Sequence, residues 1–491
     1  MSSQEPVFEF PLVFAGRGAG SLVRQLHAQL RAAILDRRLL PGARLPATRR
    51  VAGAYGIARN TVIAAYELLV AEGYVLTRAG APARVADPGA RLRPPRRRAA
   101  LGAGPLNPYW RRAAPAALQF ASSVRAPGFR LGMPEHRLFP VDVWRRLLTR
   151  ALNRRADPAA FDYPEPHGRP LLRAAIARHV SFTRAVAASA ADVIVTAGAQ
   201  QAFDILARSL VTPGRTRVAV ENPGYPPLRA ALSAAGAQLV PVPVDEQGLC
   251  VERLPEDVSV VCVTPSHQFP TGVALSMARR SALLAFARER GAVIIEDDYD
   301  GEFRFGSRPL DALQTLDRDA SVLYVGTFSK SLYPALRIGY IVAPRWAREV
   351  LTAVRLCADS AGNAQLQDAL AHFIVDGHLA RYVRRMRRVY AERRAVLLTA
   401  IAEDLQPWLQ PLPAEAGIHL ATRIRPRSAA ARIIAQACLH APGAQPLSRF
   451  ALGAECEPGL VFGLGCIEAG AIRAALRALA AGLARAGRAG G

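Results

Sequence analysis

The chain has 491 residues, with 63 Lys or Arg against 39 Asp or Glu, a net charge of +24 and a hydrophobic fraction of 51%. That length exceeds one core and predicts a large unit with a smaller companion, and the apolar content is ample for burial. No apolar run reaches the roughly 18 residues of a membrane span, and Glu5 and Glu9 stand where a secretory leader would be basic, so a soluble cytoplasmic protein with no membrane role is predicted.

The basic excess is uneven. Residues 1–112 hold 18 Arg against six acids, half the net charge in under a quarter of the chain, which points to a polyanionic partner. From Ser21, placed to cap a first turn, Leu22, Leu26, Leu30, Ala33 and Ile34 recur at helical spacing. Pro41-Gly42 makes a turn, and the stretch from Leu45 to Ala52 opens a short second helix that stops before Gly56. A third helix follows, with Val62, Ala65, Tyr66 and Leu69 on its apolar face. Two short helices about a tight turn have the layout of a helix-turn-helix, whose second helix enters the major groove of a double-stranded DNA operator. Its leading residues Arg59 and Asn60 suit the edges of guanine and adenine, while Arg49, Arg50 and Thr61 suit phosphates. Residues 75–85 read as a hairpin wing. The string Leu45-Pro46, Arg49, Arg59-Asn60-Thr61-Val62, Ala65-Tyr66, Leu68 and Glu72-Gly73-Tyr74 resembles the winged-helix domain of GntR-type repressors. Ala58 stands where that family has a capping Ser, a loss of about 1 kcal/mol, and Ala81-Pro82-Ala83 replaces its wing tip.

The DNA-binding module is thus expected to span residues 1–88, and residues 89–124, with Arg91-Leu92-Arg93-Pro94-Pro95-Arg96-Arg97-Arg98, read as a basic extended or disordered linker. Beyond it, in residues 125–491, five apolar runs alternate with helical patterns: Val193-Ile194-Val195-Thr196, Arg217-Val218-Ala219-Val220, Ser259-Val260-Val261-Cys262-Val263, Ala292-Val293-Ile294-Ile295 and Ser321-Val322-Leu323-Tyr324-Val325. Such alternation predicts an α/β domain around a mostly parallel sheet buried on both faces, with ligands at the strands' C-terminal ends. The six cysteines have no CxxC spacing and no histidine pair at ligand spacing, so reduced thiols and no metal centre are expected.

Four of the five runs end in polar clusters. The first leads to Gly198-Ala199-Gln200 at a helix start, where free N–H groups favour a phosphate. The second leads to Tyr225, the fourth to Glu296-Asp297-Asp298-Tyr299-Asp300, and the fifth to Thr327, Ser329 and Lys330, with Arg337 seven residues on. Lys330 is the chain's only lysine; every other basic residue is Arg, which cannot become a nucleophilic amine. Amine, carboxylate, phenol and phosphate cradle together match the needs of pyridoxal 5'-phosphate.

The region resembles fold-type I aminotransferases, and the joined chain resembles MocR-type regulators. The carrying strings are Ala197-Gly198-Ala199-Gln200-Gln201-Ala202, Thr264-Pro265-Ser266-His267-Gln268-Phe269-Pro270-Thr271-Gly272, Glu296-Asp297-Asp298-Tyr299-Asp300, and Thr327-Phe328-Ser329-Lys330-Ser331-Leu332 running to Tyr340. The resemblance implies that Lys330 carries the aldimine, Asp297 meets the pyridine nitrogen, Tyr299 meets the ring oxygen and Tyr225 stacks on the ring. Arg337, Ser329 and Thr327 would join Gln200 at the phosphate. Asp297 is preferred to Asp298 because it shares a strand face with Tyr299. Transaminases place an Asn where this chain has His267-Gln268, so one of these two is expected at the ring oxygen. The family's GABA sensor has an Arg where this chain has Pro227, so a GABA-like effector is not expected. Tyr163 resembles a tyrosine that crosses a homodimer interface, and the residues from about 417 onward read as a smaller α+β part. The resulting expectation is a transcriptional regulator that senses an amine, an amino acid or pyridoxal phosphate by aldimine chemistry, without need of turnover. The alternative is an active aminotransferase with a DNA-binding appendage.

Overall fold

The computed structural model describes residues 7–14, 21–78, 81–87, 109–110, 128–153, 162–305, 311–413, 415–453 and 456–488. Two compact units divide the chain, Met1–Leu106 and Asn107–Gly491. Most of the linker read at 89–124 lies outside the described residues. No helix among the described residues is long and apolar enough to cross a membrane.

In the first unit, helix α1 (Leu22–Leu35) starts at Ser21, whose hydroxyl accepts from Val23 N at 3.3 Å, and buries Leu26, Leu30, Ala33 and Ile34. Each buried leucine stabilises the module by about 1.5–3 kcal/mol. Helix α2 (Thr48–Tyr55) starts three residues later than the sequence pattern suggests, because Leu45 N is bonded to Ala83 O at 2.8 Å and so belongs to the wing. It ends at Gly56, in the left-handed conformation (φ 62°) that glycine adopts without strain. Helix α3 (Arg59–Ala71) buries Val62, Ala65, Tyr66 and Leu69, and Ala58 gives it no side-chain cap. The wing is the antiparallel pair β1 (Val75–Leu76) and β2 (Arg84–Val85). Sequence reasoning missed a further contribution: Phe8, Phe10 and Leu12 alternate with exposed Glu9 and Pro11 and are buried in the same core.

The second unit is built on eight strands: β3 (Val193–Thr196), β4 (Arg217–Asn222), β5 (Gln238–Asp245), β6 (Gly248–Leu249), β7 (Val260–Val263), β8 (Val293–Asp298), β9 (Val322–Thr327) and β10 (Gly339–Val342), in the order β3-β10-β9-β8-β7-β4-β5-β6. The pairs β5/β4, β4/β7, β7/β8 and β8/β9 are parallel, as the continuous apolar runs predict. Strand β10 is antiparallel to both β9 and β3. The segment 328–338 that joins it to β9 is shorter than the dozen or more residues a parallel crossover needs. Three apolar clusters cover the sheet, one led by Leu172, Ile176, Tyr324 and Tyr390, one by Phe203, Leu206, Val220 and Leu323, and one by Val242, Val261, Leu283 and Ile294. The C-terminal part is a smaller antiparallel sheet of β11 (Leu409–Pro411), β12 (His419–Ile424), β13 (Gln445–Pro446) and β14 (Gly459–Gly463), ordered β11-β12-β14-β13. With the helices Ala430–His440 and Ala469–Arg488 it encloses a core of its own, the α+β part expected there.

Candidate functional site

The polar strand ends converge on one cavity of about 260 Å³, lined by Ala199, Gln200, Tyr225, Asp297, Tyr299, Thr327, Ser329, Lys330 and Arg337 among others. Nine of the eleven residues singled out for the cofactor therefore line a single space. Gly198 and His267 do not.

The β3 end supplies the cradle. Gly198 precedes the helix Ala199–Leu210 with φ 79° and ψ 173°, a conformation that is essentially glycine's alone. A Cβ there would also stand 3.1 Å from the Arg337 guanidinium. Arg337 reaches across from beyond β9 and donates Nη2 to Ala197 O at 2.6 Å. The first N–H groups of the helix, its dipole and this guanidinium thus gather at one corner. Thr327 closes that corner, with Oγ1 accepting from Ser329 N at 3.2 Å and donating to Ser329 Oγ at 3.0 Å. Gly198→Ala is expected to introduce about 1–3 kcal/mol of backbone strain and to displace Arg337. A lowered melting temperature together with faster loss of bound phosphate compound on dialysis is the measurement that checks it.

At the β8 end the alternation of side chains separates two adjacent carboxylates. Asp298 turns away from the cavity: its Oδ2 accepts from Arg184 Nε and Tyr324 Oη, both at 2.6 Å, and all three are buried. Asp297 faces the cavity, and its Oδ1 is buried with no partner among the described residues. Burial first, then the Asp298 charge, pushes its pKa well above the usual carboxylate range, while Lys330 pulls it down. A carboxylate so placed is completed by a cationic N–H donor.

Lys330 follows β9 on the short turn Phe328–Ser331 and donates Nζ to Gly132 O at 2.8 Å. Gly132 has φ 69°, the left-handed region that favours glycine, and a Cβ there would come within 2.7 Å of Nζ. Burial lowers the Lys330 pKa; Asp300 and Asp297 raise it, and Arg337 lowers it further. The neutral, nucleophilic amine is favoured accordingly.

The aromatic walls are Tyr225, whose ring lies 5.3 Å from Phe269 at 80°, and Tyr299. The reading of His267 or Gln268 at the cavity is corrected here, because neither lines it. Gln268 is buried with Nε2 donating to Glu221 Oε2, Pro223 O and Phe269 O, and Oε1 accepting from Thr271 N and Oγ1. His267 lies behind Tyr299, its Nδ1 2.9 Å from Tyr299 Oη and 3.1 Å from both Asp300 oxygens, so it reaches the cavity only through that phenol. The ring of His419 lies 4.5 Å from that of His267 and lines the cavity; burial, then the neighbouring His267, holds its pKa down to about 3. His267, Asp300 and His419 bring ligand-type atoms within 4.8 Å of one another. Asp300 is engaged by His267 and Ile418 N, and His419 Nε2 by Pro270 O, while His267 Nε2 is buried with no partner among the described residues. Sequence reasoning also missed Arg130, Gly132, Met133, Arg449 and Phe450, which complete the cavity from segments far from the parallel strand ends.

In the first unit Arg49, Arg50, Arg59 and Asn60 are exposed and Thr61 is half-buried. Arg59 Nε donates to Thr48 Oγ1 at 3.4 Å, which brings the start of α3 beside the start of α2. The five residues expected to meet DNA thus stand at the leading ends of the two short helices.

Residues 128–455 match the family described as aminotransferase class I and II, and residues 22–85 match bacterial regulatory proteins of the gntR family. The chain is 39% identical over 402 residues to the probable rhizopine catabolism regulatory protein MocR of Rhizobium meliloti, covering 82% of this chain and 81% of that one. It is 31% identical over 472 residues to the HTH-type pyridoxine biosynthesis transcriptional regulator PdxR of Corynebacterium glutamicum, covering 95% and 96%. The fold of the second unit is shared with the crystal structure of Pyrococcus horikoshii kynurenine aminotransferase, at a TM-score of 0.68 and 24% identity over 76% of this chain and 94% of that one.

Proposed function

The chain belongs to the MocR-type regulators, a GntR winged helix joined to an aminotransferase class I and II domain, and on that premise we propose that it regulates transcription by sensing an amine, an amino acid or pyridoxal phosphate at Lys330. Pyridoxal phosphate is the cofactor of the aminotransferase family. When bound, it supplies an aldehyde that bonds reversibly to amines and a ring that withdraws electrons. The residues present fit it. Lys330 offers the amine, the unpartnered Asp297 oxygen would hold a proton at the ring nitrogen, and Tyr299 would meet the ring oxygen with His267 fixing its phenol from behind. Tyr225 would cover one ring face, and Arg337, Thr327, Ser329, Ala199 and Gln200 would hold the phosphate, beside the turn that Gly198 permits.

The observation that carries this reading is the position of the chain's only lysine: buried, with a lowered pKa, in the cavity that also holds Asp297 and Arg337. In this reading residues 1–88 read the operator, residues 89–124 tether them, and residues 125–491 sense. Two copies form a cytoplasmic homodimer that spaces two reading heads. Tyr163, 89% exposed, would be the residue that crosses between the two copies.

Because burial lowers the Lys330 pKa, cofactor capture by the cofactor-free protein should rise with pH around a midpoint below the ordinary lysine value. Asp297 raises that pKa, so Asp297→Asn should move the midpoint lower still. Stopped-flow absorbance at a series of pH values measures both.

The functional test is an operator titration with and without amine, run beside a keto-acid assay. An effector that exchanges with Lys330 is expected to shift DNA affinity by roughly 5- to 150-fold, a coupling of about 1–3 kcal/mol, without stoichiometric keto-acid release. Multiple-turnover transamination with unchanged DNA affinity would instead identify an active aminotransferase with a DNA-binding appendage.

A further inference from the structure

In the second unit one helix is bonded both to the cavity and to the start of the domain. It is Pro226–Ala234, and its N-cap is Tyr225, an aromatic wall of the cavity. Gln200, which lines the cavity at the cradle, donates Nε2 to Pro227 O at 3.0 Å. Arg229 is buried and donates Nη1 at 2.8 Å to the carbonyl of Phe450, a cavity residue from the C-terminal part. That same carbonyl accepts from Gly224 N at 3.0 Å, just ahead of the helix. The first turn of the helix is therefore tied to three residues that line the cavity.

The next residue carries a further bond. Tyr109, inside the stretch read as linker, donates Oη to Ala230 O at 3.0 Å. A backbone carbonyl has two lone pairs, so this bond adds to the helix ladder rather than replacing a rung. The Tyr109 ring is half-buried, its pKa is raised by burial, and it packs edge-on against the exposed Trp110 at 5.0 Å. Both residues belong to the second unit. The chain thus grips the large domain before residue 125, and residues 89–108 separate that grip from the operator-reading module.

We propose that helix Pro226–Ala234 is the docking surface of the linker, with Tyr109 as its anchor, and that this contact carries the state of the cavity to the operator-reading module. The proposal rests on the reading of the cavity as a sensing site. A ligand that stacks on Tyr225 or engages Gln200 acts on the first turn of the helix, about one turn from Ala230. One rigid element then both feels the ligand and holds the linker.

The experiment compares amide hydrogen exchange in the full chain, free of cofactor and loaded with pyridoxal 5'-phosphate, for wild type and for Tyr109→Phe, which keeps the ring and loses the hydroxyl. In wild type, loading is expected to slow exchange in the helix and, by about two- to tenfold, in the peptide that carries Tyr109 and Trp110, a change of the size of one hydrogen bond. In Tyr109→Phe the helix should still respond, cofactor uptake should be unchanged, and the Tyr109 peptide should no longer respond. Operator affinity of the same four samples should differ between free and loaded wild type, and that ratio should collapse toward one in the variant. A Tyr109 peptide that ignores loading in wild type, one that responds equally in Tyr109→Phe, or a variant that cannot take up the cofactor overturns the anchor. If loading shifts operator affinity equally in wild type and variant, the signal bypasses Tyr109 and the sensing reading stands without it. If loading changes neither exchange at Tyr109 nor operator affinity in wild type, sensing of pyridoxal phosphate falls and the anchor falls with it.

Discussion

Lys330→Ala is expected to abolish covalent capture of pyridoxal phosphate: no visible band survives gel filtration, and borohydride attaches nothing to the chain. The wild type should be yellow and should carry the borohydride-fixed group on the tryptic peptide that contains Lys330. No second side-chain amine substitutes, because Lys330 is the only lysine and the arginines stay protonated. Burial lowers the Lys330 pKa from its ordinary value, which favours the neutral, nucleophilic amine. The variant should still bind its operator, since the winged helix forms a separate compact unit with its own apolar core. It should no longer change DNA affinity when an amine is added. Mass spectrometry after borohydride and a paired operator titration read both consequences, and a variant that stays yellow and responsive would move the covalent site away from Lys330.

Most of the large domain's framework was legible because parallel strands buried on both faces are continuous apolar runs, and all five such runs lie on central strands or on β3. Strand β10 was not, because Gly339-Tyr340-Ile341-Val342 follows directly on the segment that carries Lys330 and Arg337, with no helical pattern between it and β9. The N-terminal strip was written as plain alternation, Phe8, Phe10 and Leu12 inward with Glu9 and Pro11 outward, but three apolar residues before a polar break look like a solvated tail until a core covers them. Of the cavity, the strand-end residues were readable because topology brings those ends together. Arg130, His419 and Arg449 were not, because they arrive from antiparallel or irregular segments whose sequence records no shared face. His267 shows the opposite limit: its motif was visible, but only the fold reveals that Tyr299 stands between it and the cavity.

Replacing Arg59 or Asn60 with alanine should erase most of the operator preference and leave the general attraction to DNA. Both are exposed at the first turn of α3, the end a recognition helix presents to base edges, whereas Arg49 and Arg50 stand on α2. A bidentate base contact discriminates by about 1–3 kcal/mol, so each substitution should cost roughly 5- to 150-fold on the operator and little on unrelated DNA. Arg49→Ala should behave differently: it should weaken both DNAs alike and lower the slope of log affinity against log salt by about one, because a phosphate contact releases a counterion whatever the sequence. Neither change removes a buried apolar contact, since α3 packs through Val62, Ala65, Tyr66 and Leu69, so the melting temperature of the module should be retained. Competition titrations at several salt concentrations separate the two behaviours. Sequence preference that survives Arg59→Ala and Asn60→Ala together would transfer base reading to another surface of the first unit, with the hairpin β1–β2 the next element to test.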